Sequence, residues 1–85
     1  MLDVAIISPE RIVFEGQASQ VVAPAHDGEV GILPQHAPLM TLLGKGTLRL
    51  VGASGAAQEF EVAGGFLQVI EDRVRVVTEA AKGKG

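Results

Sequence analysis

The chain has 85 residues, 47% of them hydrophobic and 20% charged, with a formal net charge of −3. That length holds one small domain, whose folding buries only roughly 60–65% of the unfolded chain's surface, and the balance is that of a globular protein rather than a disordered tail. The lack of cysteine excludes disulfide staples, thiol catalysis and thiolate metal sites, and the negative charge with no Trp, no Tyr and three Phe argues against a nucleic-acid partner.

The amino terminus, Met1-Leu2-Asp3-Val4, carries an acid where a signal peptide needs Lys or Arg. No apolar run reaches the ~18 residues of a membrane helix, so the expected location is the cytosol or a surface facing it. Val4 and Ile6 then alternate with Asp3 and Ala5, a period of two that predicts a strand with one buried face. Ser8-Pro9-Glu10, Gly16, Pro24 to Gly28 and Pro34 to Pro38 punctuate the next stretch. Leu48 and Leu50 alternate with Thr47 and Arg49, and Thr47–Val51 is expected to return through Gly52-Ala53-Ser54-Gly55 into Gln58–Val62, where Phe60 and Val62 alternate with Glu59 and Glu61. Leu67 and Val69 in Phe66–Ile70 pair with Val74 and Val76 in Arg73–Thr78 through Glu71-Asp72, a poor fit for a two-residue hairpin turn. Ala80 to Gly85 joins helix formers to a Gly/Lys stop, so residues 1–80 are expected as the domain and 81–85 as a short flexible tail. Eleven glycines and four prolines at such intervals exclude long helices, and the fold class is all-β, an antiparallel sandwich or barrel.

Catalytic constellations fail on inventory. Gly52-Ala53-Ser54-Gly55-Ala56 misses the last glycine of a nucleophile elbow and sits in a hairpin turn. Gly44-Lys45-Gly46-Thr47 lacks the upstream glycine, the hydroxyl after Lys and the helix of a phosphate loop. His26, Asp27, Glu29 and His36 are the one local set of metal-capable side chains, with a spacing that fits no zinc pattern. No cofactor, metal or small-molecule substrate is therefore expected. The charge is uneven: residues 1–36 hold five acids against Arg11, a net of −4, and residues 37–85 hold five acids and six bases, a net of +1. An acidic amino-terminal half suits a basic protein partner, although a solvated surface explains it equally simply.

The segment from Gly28 to Leu39 is the unusual one. Glycines flank Glu29-Val30 and prolines bracket Gln35-His36-Ala37. Proline fixes φ and lowers the entropy of the free loop, so the segment reads either as a sandwich corner or as a rigid loop presented for protein recognition.

Asp27-Gly28-Glu29-Val30-Gly31-Ile32-Leu33-Pro34-Gln35-His36-Ala37-Pro38-Leu39 resembles the signature of the amino-terminal domain of ATP synthase ε subunits. Ser8 to Gly16 resembles that family's opening hairpin, Val21 to Pro24 its strand before the signature, Phe60 to Val69 its F-x-V-x-G-G-F stretch, and Val74 to Ala80 its closing strand. The resemblance implies a ten-stranded antiparallel β-sandwich of two sheets, a non-catalytic element of the rotating central stalk. It implies the γ subunit and the membrane-embedded c-ring as partners, and a peripheral place on the cytoplasmic face of a bacterial inner membrane. Carried over by position, Glu29 matches an acidic residue at the ring contact and His36 falls in the same loop region near γ and the ring, so the Glu29–His36 loop is expected to be presented to the ring and the expected partner-binding residues are Asp27, Glu29, Val30 and His36. One apolar sheet face is expected to dock on γ, with Val4, Ile6, Leu48 and Leu50 as candidates for it. Bacterial members continue as a helical hairpin with inhibitory and nucleotide-sensing roles, and these roles are not carried over to a sequence that stops at Gly85. The alternative from another class is a free-standing binding module with a small ligand at the His26/Asp27/His36 corner.

Overall fold

A computed structural model describes residues 1–84. Ten strands follow one another: β1 (Leu2–Ile7), β2 (Ile12–Ala18), β3 (Gln20–Ala25), β4 (Gly28–Ile32), β5 (Leu39–Leu42), β6 (Lys45–Val51), β7 (Ala57–Ala63), β8 (Phe66–Ile70), β9 (Arg73–Val77) and β10 (Ala80–Lys84). They form two five-stranded sheets, a front sheet in the order β2-β1-β9-β8-β5 and a back sheet in the order β10-β7-β6-β3-β4. The expected all-β sandwich of two sheets and ten strands is what the chain forms. One pair departs from the antiparallel rule: β1 runs parallel to β9, with Asp3 opposite Arg73 and Ile7 opposite Val77. A parallel pair needs a long connection, and nearly the whole chain supplies it here.

The alternating residues singled out in sequence point inward. Val4, Ile6, Leu67, Val69, Val74 and Val76 of the front sheet meet Leu48, Leu50, Phe60 and Val62 of the back sheet in one buried cluster. Burying each such side chain is worth about 1.5–3 kcal/mol, and in a chain this short that cluster is the main source of stability. Phe14 of β2 closes one open side by an edge-on contact with Phe60, ring centroids 5.6 Å apart.

Both drawn hairpins are present. Thr47 lies opposite Glu61 and Val51 opposite Ala57, and Ile70 lies opposite Arg73 across a two-residue turn. The chain passes between the sheets five times, and two of these crossings are fixed by specific contacts. At Gly64-Gly65 both residues have positive φ, and a β-carbon on Gly65 would collide with the backbone of Val77 and Thr78, so only glycine fits. At Thr78 the hydroxyl is buried, 3.0 Å from the carbonyl oxygen of Ala80 and 3.3 Å from that of Ala63, and its amide donates to Ile7.

The carboxy-terminal segment corrects the expected boundary at residue 80. Ala80–Lys84 is a strand of the back sheet, in register with β7 from Ala63 to Glu59. Ala81 packs against the core, and backbone ladder bonds rather than large side chains hold the strand. Gly85 lies outside the described residues.

Candidate functional site

The four expected partner-binding residues do not sit on one loop. Gly28–Ile32 is β4, an edge strand paired to β3 with Glu29 opposite Pro24, so the glycine-rich run is half strand and half loop. His26 and Asp27 form the two-residue turn before it, where Gly28 takes a φ of 124° and the His26 amide donates to the Leu42 carbonyl at 2.9 Å. Asp27 and Glu29 are exposed beside this turn. Val30 turns its side chain against the core cluster and gives the strand its grip on the sandwich.

His36 lies beyond the opposite end of β4, in the loop 33–38 that crosses from the back sheet to the front sheet. Four residue steps of β4 alone separate the two ends by about 13 Å at a rise of ~3.3 Å per residue. The structure therefore corrects the reading of Glu29 and His36 as one presented loop: the strand between them is extended and holds them apart. It likewise does not assemble the His26/Asp27/His36 corner. Among the described residues no group of three or more His, Asp or Glu side chains is placed to share a metal ion.

The loop itself is well defined. Pro34 and Pro38 bracket it, Gln35 adopts a left-handed φ of 68°, and the Gln35 amide donates to Oδ1 of Asp72 at 2.6 Å. Nδ1 of His36 donates to the Ala37 carbonyl at 2.7 Å. A carbonyl only accepts, so Nδ1 is the donor in this contact.

The expected γ-facing set is also corrected. Val4, Ile6, Leu48 and Leu50 are buried in the core, because each sheet turns its β-branched and leucine alternates toward the other. The apolar surface lies on the other alternates. On the outer face of the front sheet, Leu42, Phe66, Val77 and Ile7 stand opposite one another across β5, β8, β9 and β1. Met40 and Ile70 extend this row toward the His36 loop, and Met40, Leu42 and Ile70 are 63%, 62% and 46% exposed. Pro38, Leu39, Met40, Gln68 and Ile70 line a shallow hollow where the loop meets this face. The apolar band gives way to Arg73 and Arg75 on β9, then to Asp3 on β1 and Glu15 on β2, which line a groove of about 530 Å³. Sequence reasoning set Phe66 and Ile70 on the face opposite Leu67 and Val69, but missed Met40 and Leu42 and the apolar surface that the four form together. The usable signal was that Met40 and Leu42 are two apolar residues out of phase with Leu39.

The outer face of the back sheet is of another kind. Arg49 lies opposite Glu59, Thr47 lies opposite Glu61, and the Thr47 hydroxyl donates to Oε1 of Glu61 at 2.9 Å.

Residues 1–84 match the family described as ATP synthase, Delta/Epsilon chain, beta-sandwich domain. The ATP synthase epsilon chain of Desulforamulus reducens is 47% identical over 77 residues, covering 91% of this chain and 58% of the relative. That of Solibacter usitatus is 43% identical over 81 residues, covering 95% and 60%. The chain thus spans about three-fifths of the length of these curated relatives. A chain in the structure of the Euglena gracilis mitochondrial ATP synthase, OSCP/F1/c-ring, superposes with a TM-score of 0.91 at 19% identity, over 96% of this chain and 52% of its own. A chain of the Tetrahymena thermophila mitochondrial ATP synthase central stalk and c-ring gives 0.75 at 16%, over 95% and 65%. The two five-stranded sheets and the matched signature agree: this chain belongs to the family of ATP synthase δ/ε-chain β-sandwich domains.

Proposed function

We propose that this chain is the sandwich part of the ε subunit of an F-type ATP synthase, a non-catalytic element of the central stalk that docks on γ and meets the c-ring. In that place it couples ion translocation to ATP synthesis from the cytoplasmic face of a bacterial inner membrane. The observation that carries the reading is the apolar outer face of the front sheet, with Met40, Leu42 and Ile70 exposed and Phe66 half-buried among them, in a member of this family. Three of those four side chains are large and well exposed, a pattern that marks an interaction site on a small soluble fold.

The mechanism is mechanical. A rigid sandwich with a cross-braced core passes load without deforming, provided that it is held on two sides. The front-sheet face and the adjoining His36 loop supply the γ side. The exposed His26-Asp27 turn and Glu29, at the far end of β4, supply an acidic tip that suits basic loops on the ring. This division gives the separated residues distinct tasks. Stable interfaces bury about 1,600 Å² in total, near 800 Å² from each partner.

Size-exclusion co-elution with a cognate γ subunit, followed by calorimetry, tests the reading. A stoichiometric complex is expected, and no association with folded γ would overturn it. Glu29→Lys is expected to leave γ binding unchanged and to weaken assembly on the ring by like-charge repulsion. Unaltered ring assembly in that variant would remove Glu29 from the contact.

A further inference from the structure

The turn joining β8 to β9 has the wrong residues for its shape. Glu71 and Asp72 adopt φ values of 48° and 63°, the geometry of a two-residue hairpin turn that Asn-Gly fills best. A β-carbon in the left-handed region crowds the next carbonyl, and Glu has none of the local hydrogen bonding that lets Asp and Asn tolerate it. Asp72 is where two connections converge. Its carbonyl accepts the Asp3 amide at 2.8 Å, which fastens the start of β1, and its Oδ1 accepts the Gln35 amide at 2.6 Å, which fastens the apex of the loop 33–38. Gln35 is itself left-handed, and its neighbour Pro34 has no amide proton to contribute to any bond. The charge-assisted bond to Asp72 therefore links the loop to the front sheet at the residue next to His36.

We infer that Asp72 is a positioning residue: its carboxylate sets the His36 loop against the rim of the apolar front-sheet face, so that loop and face meet a partner as one preformed surface. The inference rests on the docking reading above. A turn selected for hairpin closure alone would carry glycine at position 72, which keeps the carbonyl that serves Asp3 and relieves the crowded φ. What glycine cannot supply is the carboxylate. Pre-setting a loop spares the ordering that binding would otherwise require.

This separates the two roles experimentally. Wild type, Glu71→Asn/Asp72→Gly and Asp72→Asn are compared by thermal unfolding, by hydrogen exchange of the Gln35 amide and by calorimetric titration with γ. The double variant relieves backbone strain and loses the Gln35 bond, two opposing effects of similar size, so its melting temperature is expected within about 4–8 °C of wild type and the decision falls on exchange and affinity. Its Gln35 amide is expected to exchange at least ~10-fold faster and its affinity for γ to fall about 10-fold, the effect of losing one charged hydrogen bond. Asp72→Asn keeps an Oδ1 acceptor and is expected to bind within about threefold of wild type. Unchanged Gln35 exchange in the double variant would overturn the clamp, and faster exchange with unchanged affinity would overturn its positioning role. In both cases wild type still binds γ. A wild type that does not bind would instead overturn the docking reading, and the positioning role with it.

Discussion

The two outer faces of this sandwich are built on the same inner core and are finished differently. On the back sheet, Arg49 lies opposite Glu59 and Thr47 bonds Glu61, so the outer face where these strands meet is charged and polar. On the front sheet, Leu42, Phe66, Val77 and Ile7 form an apolar row that ends in solvent. On the front face such cross-strand polar pairing is confined to one side, where Asp3 stands opposite Arg73 and accepts a bond from Gln17, and the apolar row beyond it is the part that the docking reading assigns to a partner. Sequence alternation alone gives equal inner faces. The outer ones carry the assignment of partners.

The sharpest way to break the comparison is to remove the crossing that keeps the sheets apart. Gly65→Ala places a β-carbon on the backbone of Val77 and Thr78, and the expected loss is on the order of 3 kcal/mol or more, read by urea unfolding. A stability within about 0.5 kcal/mol of wild type would mean that the crossing is not rigid. Two leucines then test inside against outside. Leu48→Ala opens a cavity in the shared core and is expected to cost about 2–4 kcal/mol while γ affinity, measured where the variant is folded, stays the same. Leu42→Asp reverses that pattern: its side chain is exposed, so stability is expected to move by less than about 1 kcal/mol, whereas γ affinity falls by roughly 10–100-fold in calorimetry. Equal binding by Leu42→Asp would dissolve the distinction between the faces. The smallest effect belongs to the back face. Arg49→Ala is expected to shift unfolding by about 0.2–1 kcal/mol, less at high salt, with no change in docking.

Much of the inner face was legible because its residues alternate with charged neighbours: Phe60 and Val62 between Glu59 and Glu61, Val74 and Val76 between Arg73 and Arg75. Strands without that contrast stayed hidden. β4 carries Gly28, Glu29 and Gly31, poor strand formers that pair with β3 at an edge, and β10 is Ala-Ala-Lys-Gly-Lys, a run with almost no side chain to advertise a ladder made by the backbone. The family signature located the right stretch of chain for the site, yet it could not tell that an extended strand separates Glu29 from His36. The apolar outer face left only a faint sign in sequence, Met40 and Leu42 falling out of phase with Leu39, because every residue of Leu39-Met40-Thr41-Leu42-Leu43 but Thr41 is apolar and the alternation that marks an inner face is absent.

The parallel pairing of β1 with β9 has a consequence in time. Asp3 meets Arg73 seventy positions later, so at a synthesis rate of ~5–20 residues per second the second neighbour of the first strand emerges roughly 4–14 s after it. Through that interval β1 has β2 beside it and an open edge on its other flank, with Leu2, Val4 and Ile6 waiting for their cover. The front sheet is closed by its ninth strand, late in the life of the nascent chain, and the apolar face it offers to partners is assembled in the same step.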